Sequence, residues 1–381
     1  MNPATAPRDD RAGARLLLLD PRTGAHVDAR VRDLPRWLGA GDLLIVNDAA
    51  TLPASLRARA WRKEHVSGDM SNAELDDGAG SRGWPKRHVS EDMLSADLEV
   101  RLTGVGGATW RAALLGAGDW RTPTERRPPP PALRVGDRLV FSEALTAAVV
   151  GVSPVSPRLC ELRFDREGAA LWAALYRLGR PVQYAHVREP LALWSVQTVF
   201  AARPWAAEMP SAGRPLDWDT LLALRRAGVE IAAVTHAAGL SSTGDPELDA
   251  ALPLAERFEV PAATVAAIAR VRAGGGRVIA VGTTVVRALE GSVRRFGGLQ
   301  AGSGETDLVL GPGFVPRVVD GIVTGMHGPG ESHFALLQAF AGEAALRAAF
   351  EHAIGAGYLA HEFGDAALIV PGLLPPVARA A

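Results

Sequence analysis

The stretch VIAVGTTVVRALEG, Val278 to Gly291, decides how the chain is read. Four apolar residues run without a break into Gly-Thr-Thr, and apolar residues then recur at helical spacing. A short continuous apolar run suits a strand buried on both faces, as parallel strands between helical layers are. Gly282 lets the backbone turn tightly and lets a ligand approach, and Thr283 or Thr284 is expected to cap the helix. Two readings of Arg287 follow. In one, the helix N-terminus and the guanidinium a turn later form an anion clamp. In the other the helix is merely capped, and Arg287 pairs with Glu290.

The same texture extends outward. ARLLLLD, DLLIVND and VEIAAVT read as strands, and LDWDTLLALRRAG and PAATVAAIARVRAGGG as helices. DLPRWLGAG predicts a short helix with Asp33 as N-cap and Pro35 in its first turn, closed by Gly39 or Gly41. PRVVDGIVTG predicts a β-hairpin turning at Asp320-Gly321, and ESHFALLQAFAGEAALRAAFEHAIGAG a helical tail. The expected fold class is therefore α/β: a mostly parallel sheet covered by helices. Between about Arg57 and Cys160, LEVRL, WRAALL, DRLVF and LTAAVVGV are short extended runs split by Gly, Pro and Asp. They predict an inserted small all-β barrel. The layout expected is an α/β domain formed by residues 1–56 and 161–381, with 1–12 a loose tail and 57–160 the inserted barrel. Within the barrel, TPTERRPPPPALRVGD is expected to be an exposed polyproline connection. Around 63–97, WRKEHVSGDM and WPKRHVSEDM nearly repeat. Their polar surroundings point to a duplicated, poorly ordered loop and not to a metal site.

Composition narrows the function. Lys and Arg number 41 against 42 Asp and Glu, so no global field favours a polyanion. A nucleic acid would have to meet a local basic patch, for which Arg121, Arg126, Arg127, Arg134 and Arg138 are the candidates. The single cysteine, Cys160, excludes an internal disulfide and any multi-cysteine metal site. No apolar run approaches the ~20 residues of a membrane span, and MNPATAPRDDRA has no apolar core of a signal peptide. A cytoplasmic, membrane-free protein is expected.

Ligands of open α/β sheets bind beyond the carboxyl ends of strands. Three such ends carry polar residues: Asn47-Asp48, Thr235-His236 and Gly282-Thr283-Thr284. HGPGESH, His327 to His333, adds a glycine-rich loop entering a helix, with Glu331 at its start. The spacing of His327 and His333 does not fit one helical face, so no metal site is expected there. Of the nine histidines only His236 and His327 lie in candidate ligand loops, and the other seven read as structural or solvent-facing.

DLLIVND-AATLPASL, VQTVFA, PSAG, FEVP, VIAVGTTVVRALE, GSGETDLVLGPGF, RVVDGIVTGMH and FGDAALI, in order along the chain, resemble the S-adenosylmethionine:tRNA ribosyltransferase-isomerases of queuosine biosynthesis. The resemblance implies transfer and isomerisation of the ribosyl part of S-adenosylmethionine onto 7-aminomethyl-7-deazaguanine in tRNA. Epoxyqueuosine forms, and adenine and methionine leave. It implies S-adenosylmethionine as substrate, tRNA as partner, and neither metal nor bound cofactor. His327, Asp307, Glu256 and His236 are the implied catalytic candidates. Asn47, Asp48, Gln197, Ser211, Gly282, Thr283, Thr284, Arg287, Thr306, Asp320 and Asp365 are the implied substrate-binding ones. The chain departs from the family pattern where an NDTR-type stretch reads Asn47-Asp48-Ala49-Ala50, and where a PTAGLHF-type stretch reads Pro210-Ser211-Ala212-Gly213-Arg214-Pro215-Leu216. Lost arginine and aromatic groups at such places leave two other readings. One is a diverged S-adenosylmethionine-dependent transferase or lyase acting on a small molecule; the other is a binding protein without catalysis.

Overall fold

The computed structural model describes residues 1–62, 96–106, 108–328 and 332–374. The repeated HVS segments and Glu331 lie outside them. Among the described residues, nine strands form one sheet in the order Gly302–Thr306, Glu256–Val260, Glu230–His236, Asp42–Asn47, Arg277–Val281, Gly321–Gly325, Ala366–Ile369, Arg15–Leu19, His26–Arg30. The middle of this order is parallel: Asp42–Asn47 lies between Glu230–His236 and Arg277–Val281, and Gly321–Gly325 continues it. Alternate residues feed opposite cores. Leu43 and Ile45 pack on one face with the helices Ala262–Ala273, Thr283–Phe296 and Glu343–Gly355. Leu44 and Val46 pack on the other with the 3-10 turn Val31–Arg36 and the helix Trp218–Arg226. Burial on both faces is why residues 43–46 and 278–281 are apolar throughout, each buried Leu or Ile contributing about 1.5–3 kcal/mol.

The sheet is mixed, and the expectation of a mostly parallel one is corrected. Four of its neighbouring pairs are antiparallel, including both outer ends. The outer strand Gly302–Thr306 is largely exposed, and an antiparallel edge tolerates water on one side where a parallel strand does not.

The hairpin expected at Asp320-Gly321 does not form. The backbone N–H groups of Arg317, Val318 and Val319 all donate to the buried carboxylate of Glu290, so this segment cannot serve as a hairpin strand. Gly321–Gly325 pairs instead with Arg277–Val281 and with Ala366–Ile369. The helical tail is two helices, Ser332–Leu337 and Glu343–Gly355, broken near Gly342. Asp33 is inside its 3-10 turn and accepts the Arg30 N–H at 3.1 Å; Arg30 holds the cap position. Residues 1–12 are not loose: Asn2–Pro3 pairs in parallel with Leu359–Ala360, and Ala4 and Ala12 are buried.

Six strands from Ser55–Trp61 to Leu159–Phe164 close a barrel, so the region with extended texture does form one. Leu56, Val100, Leu114, Leu139, Leu145 and Leu162 fill it, and the helix Gly168–Leu178 packs Leu171 and Leu175 against it. Cys160 lies in the barrel core, and burial pushes its thiol up to about 12. No helix among the described residues is long and apolar enough to cross a membrane.

Candidate functional site

The crevice beyond the parallel strand ends is floored by one side chain. Asn47 ends Asp42–Asn47, and its amide nitrogen donates to the carbonyl of His236 at 3.0 Å and to Thr284 Oγ1 at 3.2 Å. Its amide oxygen accepts the N–H groups of Ala49 and His236. Three strand ends are thereby tied together, and no capacity is left for a substrate. Asp48, half-buried, accepts the Thr235 hydroxyl at 2.5 Å. Gly282 has φ 89°, a left-handed value that an L side chain rarely adopts, and it sits as N-cap of Thr283–Phe296. This corrects the expected threonine cap: Thr283 is inside the helix, and Thr284 receives the Asn47 bond. A Cβ on Gly282 would come within 3.2 Å of Ala212, because the turn Ser211–Gly213 lies over the helix start.

Behind this floor lies a buried ionic group. Arg287 Nη1 donates to Glu256, its Nε donates to the Leu308 carbonyl at 3.0 Å, and Nη2 reaches the Thr306 carbonyl at 3.4 Å. Glu256 also accepts the Gly239 N–H at 2.5 Å. The imidazole of His236 is 3.4 Å from Glu256 with no hydrogen bond to either ring nitrogen, and it is fully buried. Burial, with Arg287 adding a smaller push, lowers the His236 pKa well below its ordinary value, so the ring is neutral at neutral pH. Burial raises the Glu256 carboxyl, and the Arg287 guanidinium opposes the rise. Arg287 is therefore neither a clamp open to solvent nor the partner of Glu290. Its charge is already matched by a carboxylate 31 residues away in sequence.

Among the remaining sequence candidates, His327 follows Gly321–Gly325 at the crevice and is half-buried. Gln197 spends its amide on both backbone groups of Thr51. Thr306 is buried beneath the helix, so close that a Cβ on Gly291 would lie 2.5 Å from its hydroxyl. Asp365 is buried at the crevice end of the sheet, where it accepts the Arg15 and Leu359 N–H groups and pairs with Arg8 at 2.8 Å. Two candidates do not converge. Asp307 is exposed and paired with Arg294 at 3.4 Å, outside the crevice wall. Asp320 accepts the Val278 N–H at 2.8 Å, at the beginning of the parallel strands, the far edge of the sheet. In the expected basic patch Arg127 is also corrected: it is buried and bound to Glu99.

Two groups missed from sequence line the approach. Glu208 accepts the hydroxyls of Tyr184 and Ser241 and the Ser241 N–H, and burial raises its carboxyl pKa. Two guanidiniums lie over the Trp205 ring, Arg257 at 3.7 Å and Arg203 at 5.5 Å from its centroid, and Arg203 also pairs with Glu259 at 2.7 Å. Such an indole can stack a base while its arginines meet phosphate. Tyr184 and Ser241 are far from Glu208 in sequence, and Arg257 is far from Arg203 and Trp205, so neither group is complete in one stretch. On the barrel, Trp120 stands between Arg121 and Arg180 in the wall of a cavity of about 460 Å³.

Residues 2–369 match the model of a family described as "Queuosine biosynthesis protein". The chain is 35% identical to an S-adenosylmethionine:tRNA ribosyltransferase-isomerase of Acidithiobacillus ferrooxidans, over 97% of this chain and 94% of that one. It is 37% identical to a protein of the same name from Sorangium cellulosum, over 96% and 94%. A crystal structure of S-adenosylmethionine tRNA ribosyltransferase from Thermotoga maritima matches 97% of this chain and 96% of that one, at 24% identity and a TM-score of 0.49. With a family model spanning residues 2–369 and relatives alike over 94% of their lengths, the chain belongs to the queuosine biosynthesis protein family.

Proposed function

We propose that the chain is an S-adenosylmethionine:tRNA ribosyltransferase-isomerase. It moves the ribosyl part of S-adenosylmethionine onto 7-aminomethyl-7-deazaguanine in tRNA, releasing adenine and methionine. The observation that carries this reading is similarity at 35% identity over 97% of the chain to a relative of that name. S-adenosylmethionine enters as substrate.

The chemistry needs removal of a proton beside the sulfonium, a hold on the methionine carboxylate, and an environment that excludes water. In our reading the donor lies against the start of Thr283–Phe296, where helix N–H groups and the dipole favour a carboxylate. Arg287 and Glu256 hold that helix to the strand Glu256–Val260 and touch no substrate. His327 and Glu208, both half-buried at the crevice, are the groups placed to exchange protons with solvent and substrate. Trp205 with Arg203 and Arg257 supplies the contact for a splayed base and its phosphate.

The test is incubation with S-adenosylmethionine, with and without tRNA carrying the deazaguanine, followed by mass spectrometry of adenine and methionine. Release of both only when tRNA is present is the expected result. Release without tRNA would replace the reading with a small-molecule reaction, and binding without turnover would make this a non-catalytic relative.

A further inference from the structure

Away from the crevice floor, His186, His361 and Glu362 each bring a ligand atom within 4.8 Å of the others. His186 belongs to the segment leaving the helix Gly168–Leu178, and the other two to the turn between Leu359–Ala360 and Ala366–Ile369. His186 Nε2 is 2.6 Å from a Glu362 oxygen. The two imidazoles stack with centroids 4.6 Å apart and planes 26° apart. Among the described residues His361 is the non-glycine residue with a left-handed backbone, φ 68°. On the inner side Glu362, Tyr184 and Glu208 line a cavity of about 20 Å³, room for one water.

We propose that His186, His361 and Glu362 bind one divalent metal ion of the zinc class, with a water from the adjoining cavity as fourth ligand. Two imidazoles and a carboxylate are the donors zinc accepts when three protein ligands leave one position open. Magnesium and calcium prefer all-oxygen shells and are disfavoured by the same donors. Bonds of about 2.0–2.1 Å in a tetrahedron put donors roughly 3.4 Å apart. Closing from 4.8 Å requires less than about 1 Å of movement by each side chain, and His361 is exposed and Glu362 half-buried. A plain His186–Glu362 ion pair explains the short contact. It needs neither a second imidazole stacked beside it nor the left-handed turn that carries that ring. A bound ion would join segments 175 residues apart at the edge of the Glu208 pocket. This departs from the expectation of no metal, and it does not depend on the proposed reaction.

The test uses metal-free, untagged, full-length protein titrated with Co²⁺ and then Zn²⁺. The expected result is one Co²⁺ per chain, with the intense visible bands of a four-coordinate ion, displaced by one equivalent of Zn²⁺. His361→Asn suits the left-handed backbone but lacks the imidazole. Together with Glu362→Gln, it is expected to weaken binding by roughly 100-fold or more, with the metal-free circular dichroism unchanged. Should either variant fail to fold, His186→Gln carries the same expectation from the other segment. The double variant His65→Ala/His88→Ala, in the repeated HVS segments, is expected to bind as the wild type does. No stoichiometric uptake by the wild type, undiminished binding by His361→Asn, or loss of binding in the double variant would each overturn the proposal.

Discussion

The barrel buries Glu99 and the sheet buries Glu256, and these two carboxylates shift in opposite directions. In the barrel Glu99 lies against both Arg101 and Arg127, and it accepts the Ser55 hydroxyl at 2.8 Å. The two guanidiniums outweigh burial and hold its pKa down at about 2. In the sheet Glu256 faces one guanidinium and a neutral imidazole, and burial wins: its pKa is raised. What decides the balance is the number of positive partners each carboxylate meets once it has left water. The barrel is locked in one charge state, whereas the sheet holds a pair that depends on a single partner beside the crevice.

The largest effect that could break this comparison is loss of that partner. Arg287→Ala leaves Glu256 buried without a cation and is expected to cost about 3–5 kcal/mol in urea unfolding. Affinity for S-adenosylmethionine should be lost only as far as the fold is lost. A fully stable variant with selectively weakened binding would restore the anion-clamp reading of Arg287.

Acid probes the other region. The Glu99 pKa in the folded state, about 2, lies below its ordinary 4.5. Its stabilisation is therefore present above about 4.5 and disappears as pH falls towards 2, amounting to roughly 3 kcal/mol. Amide exchange of barrel peptides should accelerate across that window in the wild type and change much less in Glu99→Gln. Equal acceleration in the two would remove Glu99 from the account.

The smallest expected change is at His236. Both ring nitrogens lack a hydrogen bond, so His236→Leu gives up little and is expected to alter stability by less than about 1 kcal/mol. A larger loss would show that the imidazole supports Glu256 after all.

How much of this was legible in sequence follows from distance along the chain. DLLIVN and RVIAV are largely apolar because they are buried on both faces, EIAAVTH is buried only towards its end, and all three strands appear where that texture predicts. The strand Gly302–Thr306 reads GSGET, which has a loop's composition because the strand is an exposed edge. That is why this antiparallel edge was hidden. The strand ends at Asn47, His236 and Gly282 do meet, as their positions predict. Their partners could not be read: Glu256 is 31 residues from Arg287, and His186 is 175 from His361. Asp320 misled because Asp-Gly has the chemistry of a tight turn. In the fold its carboxylate holds the Val278 amide.

The order of strands in the sheet also bears on when this chain can finish folding. Arg15–Leu19 and His26–Arg30 leave the ribosome long before Ala366–Ile369, yet among the described residues it is that later strand that joins them to the sheet. That hairpin must therefore wait, its leucines uncovered, until the later strand is made. Such long-range closure is slow and exposes the nascent chain to aggregation. The parallel pairs around Asp42–Asn47 can assemble earlier, so the crevice floor can exist before the sheet that carries it is complete.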